Sequence, residues 1–286
     1  MKHAFQTVGI VGTGAMGRGI AQICAQADSQ VYLYDSQPQA CQTAIDSLIA
    51  QWNKLLEKGR LTAEQVQSYS NRLKPANALS DLSECDLIIE AIVEKLEVKQ
   101  SVFKQLEEMV SPDTVLATNT SSLSVTAIAS ALKRPERFAG YHYFNPVPLM
   151  KVVEVIAGLR TDPAVTDRLM VLAQRMGHPA VRAKDTPGFI ANRIGTYWLA
   201  VAINAAMDQG LTVEEADQIG GKPMGVPKTG IFGLVDLVGV DLMPLLTKSL
   251  SSTLPAGDAY FDTVRPMPLV DRMIAEGFTG RKGKGG

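Results

Sequence analysis

The sequence predicts an α/β fold: a doubly wound, mainly parallel sheet carrying a helical arm, followed by an all-α C-terminal domain. Three observations carry this expectation. Apolar strand-like runs alternate with amphipathic stretches over the first 185 residues. A glycine-rich turn joins the first run to the first helix. Beyond Asp185 only helical periodicity remains. We therefore place an α/β domain at residues 1–185, with a helical excursion over 37–72, and a helical domain at 186–286.

Phe5 to Val11 reads as a buried strand and Arg18 to Gln26 as a helix. Between them lies Gly12-Thr-Gly-Ala-Met-Gly17. GxGxxG alone is a weak signal. Here a strand precedes it, a helix follows, and a second strand, Gln30 to Asp35, ends in an acid. That context is the dinucleotide fingerprint of a Rossmann-type sheet. Gly12 permits the tight turn, Gly14 lets backbone approach a pyrophosphate, and Gly17 lets the helix pack on the sheet. Ala15 and Met16 complete the cofactor-facing turn. The pyrophosphate belongs at the helix N-terminus, on free N–H groups and the positive dipole end. Asp35 is placed to accept hydrogen bonds from the adenosine ribose. It would repel a 2′-phosphate, and no arginine directly follows it, which selects NAD over NADP. The competing reading is a glycine-rich turn with an incidental acid.

Gln37 to Lys58 reads as a helix roughly 33 Å long. Cys41, Ile45, Leu48, Trp52 and Leu55 form its apolar stripe, and Ser47, Gln51, Lys54 and Lys58 a polar one. Thr62 and Gln65 make a capping box for a second helix. Between Gln51 and Pro75 stand five basic residues (Lys54, Lys58, Arg60, Arg72, Lys74) and two acids (Glu57, Glu64). Such an arm is either a solvated helix face or a seat for a phosphorylated carrier such as coenzyme A.

Further strands are expected at Asp86 to Val93, Thr114 to Thr118 and Phe138 to Phe144, with a helix over Lys95 to Val110. In such sheets ligands bind beyond the carboxyl ends of the strands. Glu94, Lys99, Asn119, Ser121 and Asn145 all lie at or just after those ends. Each alone reads equally as a cap or loop polar group; together they line a cleft.

His142 is one of three histidines and sits in an apolar, aromatic strand. An imidazole buried there needs a partner. Pro146 and Pro148 force a turn, after which Lys151 to Ile156 forms a second run containing Glu154. The two runs can lie side by side with the carboxylate on the imidazole. That contact fixes the tautomer and makes the other ring nitrogen a better base. The alternative is a core histidine with a satisfied hydrogen bond.

In the second half, Asp162-Pro163 caps a helix reaching Met176, and Pro179 to Arg182 is a short strand. Thr186 and Pro187 are expected to open the next helix, as N-cap and first helical residue. Phe189 to Asp208 is apolar on nearly every face, which requires burial within a helical domain or against another subunit. Thr212 caps another helix, and Val235 to Leu250 and Pro268 to Glu276 suggest two more. Asn192, close to the domain boundary, either bonds a substrate carbonyl or serves as a cap or interhelix contact.

Composition narrows the classes. The 286 residues are 46% apolar and 20% charged, with a net charge of −1. Nothing here draws the chain to nucleic acid or an anionic membrane. Cys24, Cys41 and Cys85 are far apart and form no CxxC pair, against a disulfide framework or a metal site. No apolar run is long enough to span a bilayer. Met1 to Thr7 lacks a signal-peptide hydrophobic region, so a cytoplasmic location is expected.

With these residues in hand, the chain closely resembles the L-3-hydroxyacyl-CoA dehydrogenases over nearly its whole length. Asn119-Thr-Ser-Ser122, His142-Tyr-Phe-Asn-Pro146 and Asp185-Thr-Pro-Gly-Phe-Ile-Ala-Asn-Arg193 are specific as an ordered set. The resemblance implies a catalytic pair at His142 and Glu154, with Ser121 and Asn192 in the active site. It implies cofactor contacts at Asp35, Glu94, Lys99 and Asn145, and coenzyme A contacts at Ser47 and Lys54. Lys282 matches a cofactor-contacting lysine only through a loose alignment, because the chain ends in a Gly-Lys-rich turn where family members continue. Met224 to Gly230 and Asp236 to Asp241 look more like multifunctional fatty-oxidation proteins, so a further C-terminal module is one expectation. The implied activity is NAD-dependent oxidation of an L-3-hydroxyacyl-CoA in fatty acid β-oxidation or related acyl-CoA metabolism. A dehydrogenase of a free β-hydroxy acid and a non-catalytic NAD(H)-binding protein are the alternatives. The apolar second half suggests a homodimer.

Overall fold

In the computed structural model, which describes residues 5–226 and 228–285, the glycine turn links β1 (Thr7–Val11) to α1 (Ala15–Gln26). β2 (Gln30–Tyr34) pairs parallel with β1. The arm follows as α2 (Ala40–Glu57) and α3 (Ala63–Asn71), and β3 (Leu73–Pro75) returns the chain to the sheet edge. Trp52 of α2, fully buried, meets the Tyr69 ring of α3 at 5.5 Å and locks the two helices together. The capping box forms: the Thr62 hydroxyl accepts from Gln65 N–H, and the Gln65 side chain accepts from Thr62 N–H.

β4 (Leu87–Glu90), α4 (Leu96–Met109), β5 (Val115–Thr118), α5 (Val125–Ala129) and β6 (Phe138–Tyr143) extend the sheet on the other side of β1. β7 (Val153–Ala157) runs antiparallel to β6; α6 (Pro163–Arg175) then leads to β8 (Ala180–Lys184), parallel to β7. The eight strands lie in the order β3-β2-β1-β4-β5-β6-β7-β8. The strand order reverses between β1 and β4, and it is at the carboxyl edge beside such a reversal that these sheets take their ligands. β1, β4, β5 and β6 are buried almost throughout, as parallel strands covered on both faces must be.

The chain divides into two compact units, Met1–Phe189 and Ile190–Gly286. The second contains α7 (Ala191–Asp208), α8 (Val213–Ile219), α9 (Phe232–Val238), α10 (Leu242–Thr253) and α11 (Pro268–Glu276). Leu199, Ile203, Ile231, Val235 and Val240 form its core.

Four expectations need correction. The helix expected from Pro187 begins at Ala191, because Gly188 and Phe189 both take positive φ and turn the chain out of helix. The helix expected over Val235 to Leu250 is broken at Gly239, whose φ of 120° no L side chain adopts readily. The strand expected to reach Val93 ends at Glu90, where the Ile92 N–H donates to the Glu90 carboxylate. Finally, α7 is not buried all round: Ile194, Tyr197, Val201 and Met207 are exposed.

Candidate active site

The glycine turn leaves the start of α1 open. No side chain caps α1 at Gly14, and a Cβ placed on Gly14 would meet nothing within 4 Å. A Cβ on Gly17, by contrast, would lie 1.8 Å from the Gly12 carbonyl oxygen, so only glycine allows this turn to close. Asp35, just past β2, faces the turn. One of its oxygens accepts from Thr13 N–H (2.8 Å) and Thr13 Oγ1 (2.9 Å), the other from Gln37 N–H (3.0 Å). Desolvation pushes this carboxyl up, but the hydrogen bonds from Gln37 and Thr13 outweigh it and hold it below the usual carboxylate range. An ionised acid here suits free ribose hydroxyls and opposes a 2′-phosphate, so the residues present fit NAD.

On the opposite side of β1, the antiparallel register sets His142 directly across from Glu154. Their side chains meet: Nδ1 lies 2.6 Å from Oε2. Both residues are buried, at 4% and 1% exposure. A carboxylate only accepts, so Nδ1 donates to it, and in the neutral tautomer the lone pair lies on Nε2. Phe144 and Phe189 stand against the ring at 4.6 and 5.7 Å, restricting its rotation. Asn119, at the end of β5, accepts from Tyr143 N–H through Oδ1 at 2.9 Å, tying the serine segment to the histidine strand. Asn145 is exposed and precedes a cis peptide to Pro146.

Glu94 gathers the loop after β5. Its Oε1 accepts from Thr120 Oγ1 (2.6 Å), Ser121 N–H (2.9 Å), Ser122 N–H (3.0 Å) and Ser122 Oγ (3.0 Å), and Ser121 Oγ lies 3.4 Å away. Its Oε2 is 3.2 Å from Lys99 Nζ. Burial raises this carboxyl, but the Thr120 hydrogen bond, the Lys99 charge and the Ser121 and Ser122 amides bring it down to about 2. Lys99 itself is buried, its Nζ 2.6 Å from Glu90.

The sequence reading missed Glu90, Thr118 and Thr120. The available signal was a carboxylate inside the apolar run Leu87-Ile-Ile-Glu-Ala-Ile-Val93. Asp185, in the sequence a domain boundary and the first residue of a family motif, also has a structural task. That carboxylate accepts from Val125 N–H, Thr126 N–H and Ser124 Oγ at 2.7–2.9 Å, holding the N-terminus of α5.

On the arm, Ser47 and Lys54 are both exposed. Arg18, in the first turn of α1, reaches Ser47 Oγ at 3.4 Å. Neither Arg18 nor Lys54 has a carboxylate partner among the described residues. Asn192 and Lys282 belong to the second unit. Asn192 lies in the first turn of α7, and Lys282 Nζ pairs with the Asp241 carboxylate at 2.7 Å. The three cysteines are buried and free. Among the described residues there is no cluster of metal-binding side chains, and no helix is long and apolar enough to cross a membrane.

A ribose-seeking acid and a carboxylate-held imidazole on one doubly wound sheet mark the class of nicotinamide-dinucleotide oxidoreductases. Comparison with known proteins narrows the class. Residues 7–186 match the NAD binding domain of 3-hydroxyacyl-CoA dehydrogenase, and residues 188–286 match its C-terminal domain. The chain belongs to the 3-hydroxyacyl-CoA dehydrogenase family, NAD-dependent oxidoreductases. It is 41% identical over 280 residues to the 3-hydroxyadipyl-CoA dehydrogenase of Escherichia coli (strain K12), a match covering 98% of this chain and 57% of that protein. The chain thus spans little more than half the length of that relative. The 3-hydroxybutyryl-CoA dehydrogenase of Bradyrhizobium diazoefficiens is 34% identical over 285 residues, covering 99% of this chain and 94% of that protein. Among solved structures, the (S)-3-hydroxybutyryl-CoA dehydrogenase of Ralstonia eutropha superposes with a TM-score of 0.89. It is 33% identical, and the match covers 97% of this chain and 96% of that one.

Proposed function

We propose that the chain oxidises an L-3-hydroxyacyl-CoA reversibly to the 3-ketoacyl-CoA, with His142 as general base and Glu154 as its partner. The 2.6 Å contact between Nδ1 and Oε2 carries this reading. When bound, NAD supplies the acceptor for the hydride leaving C3. His142 Nε2 takes the proton of the C3 hydroxyl as that hydride departs, and Glu154 stabilises the resulting imidazolium. Ser121 holds a substrate oxygen, and Asn192 supplies a second donor; fixed oxygens decide which hydrogen is transferred. The glycine turn, Asp35, Glu94 and Lys99 hold the cofactor, together with Asn119, Asn145 and Lys282. Ser47 and Lys54 bind the coenzyme A phosphates, a role supported by Arg18, which reaches Ser47 Oγ, and by the lack of a carboxylate partner for Lys54 or Arg18 among the described residues. Buried, unpaired cysteines support a reducing, cytoplasmic setting. The exposed apolar residues of α7 support a homodimer.

NADH formation from an L-3-hydroxyacyl-CoA, compared with the free acid at equal concentration, tests the substrate class. Equal turnover of the free acid would remove coenzyme A from the reading. His142→Gln should lower kcat by about 10² or more while leaving NAD affinity nearly unchanged.

A further inference from the structure

Glu90 takes no part in the chemistry proposed above, yet it is the most deeply buried carboxylate of the sheet, with no exposed surface. Such a charge persists only with full compensation. Its Oε1 accepts from Lys99 Nζ (2.6 Å) and Ile92 N–H (2.7 Å), and its Oε2 from Thr118 Oγ1 (2.6 Å). Thr118 Oγ1 in turn accepts from Thr120 N–H (3.2 Å), and Thr120 Oγ1 donates to Glu94 (2.6 Å). Glu94 returns to Lys99 at 3.2 Å. The path Glu90–Thr118–Thr120–Glu94–Lys99 therefore closes on itself, and the backbone amides of Ser121 and Ser122 hang from its outer carboxylate. Thr120 Oγ1 also accepts from Leu123 N–H at 3.0 Å, so the turn is gripped from both ends.

The ring has an inner and an outer end. Glu90 and Thr118 sit at adjacent carboxyl ends of β4 and β5, paired in register and fixed by the sheet. Glu94 and the serine segment lie in the loops beyond those ends. Lys99, 1% exposed, is a rigid spacer, since its ammonium lies between two carboxylates. Stiffness of the sheet passes through Glu90 and Lys99 to Glu94, and from Glu94 to Ser121.

We infer that Glu90 is the positioning residue of this site: it anchors a closed side-chain ring that fixes the Ser121–Ser122 segment for the substrate. The catalytic half of this inference rests on the proposed role of Ser121. Glu90→Gln keeps shape but removes the charge and turns one acceptor into a donor facing Thr118. Thr118→Val cuts the ring at a second point and leaves the Lys99–Glu90 pair intact, so it decides the matter if the first variant does not fold. In each folded variant, hydrogen–deuterium exchange across residues 119–124 should speed up while exchange in α6 stays as in the wild type. With L-3-hydroxybutyryl-CoA, kcat should fall by about tenfold or more, and by a larger factor than the KM for the thioester rises. The double variant should lose no more than the worse single one, because both cuts open the same ring. Exchange and kcat within about twofold of wild type, with only the melting temperature lowered, would reduce Glu90 to a structural residue and overturn the inference. A wild-type protein that oxidises no thioester would instead refute the proposed function, while the exchange measurement would still decide whether Glu90 anchors the segment.

Discussion

One oxygen atom selects the tautomer of His142. Because Glu154 Oε2 only accepts, Nδ1 must donate, and the basic lone pair is left on Nε2. Glu154→Gln breaks that logic, since an amide can turn its NH₂ toward Nδ1 and drive the proton to Nε2. The variant should fold, keep its NAD affinity, and lose about 10²-fold or more in kcat; stopped-flow NADH formation under single-turnover conditions measures the chemical step directly. Asp35 can be argued in the same way. Its carboxylate is kept ionised by Thr13 and Gln37. Asp35→Asn should narrow the preference for NAD over NADP, measured as the ratio of kcat/KM values, by about tenfold. The contact of His142 with Glu154 was open to inference from the sequence, because two apolar runs joined by a proline turn can lie side by side. Glu90 was not, because a carboxylate inside an apolar run reveals nothing of its partners, which come from β5 and α4.

Helix starts were legible where the cap is local. Thr62 with Gln65, Asp162 with Pro163, and Thr212 with Glu215 all stand where expected, because each satisfies amides within three residues of itself. Thr62→Ala should cost about 1 kcal/mol of stability. Fluorescence-detected urea unfolding is suited to the measurement, since Trp52 packs on Tyr69 of the helix that Thr62 caps. Helix breaks were harder to read. A positive φ at Phe189 has no signature in residue type, and a glycine within an apolar run, such as Gly239, is as readily a tolerated helix residue. The structure makes Gly239 specific: a Cβ there would meet Lys282 Nζ at 2.6 Å, besides the strained φ. Gly239→Ala should therefore destabilise the second unit by about 1–3 kcal/mol, visible as a lowered urea midpoint.

At the scale of the whole chain, the mainly parallel, doubly wound sheet followed from the alternation of elements, whereas its strand order and the ionic balance of its edges appeared only in the folded structure. Asp86, at the start of β4, binds Gln6 N–H, Thr7 N–H and Thr7 Oγ1 at 2.8–2.9 Å. Asp35 and Glu94 do the equivalent at the opposite, carboxyl edge. Burial pushes all three carboxyls up, but hydrogen bonds and, for Glu94, the Lys99 charge outweigh it, so all three titrate below their ordinary range. A carboxylate depressed by folding contributes stability above its unfolded value and loses it as pH falls through its folded value. Both edges of the sheet should therefore weaken together in acid. The unfolding free energy, measured by urea titration, should hold near neutrality, begin to fall near pH 4.5, and go on falling toward about pH 2, where Glu94 takes up its proton. Glu94→Gln should flatten the lowest part of that curve by about one proton's slope, because one linked carboxylate has been removed. An unchanged slope in the variant would mean that Glu94 is held no more strongly in the folded chain than in the unfolded one, and its grip on the serine segment would then contribute nothing to stability.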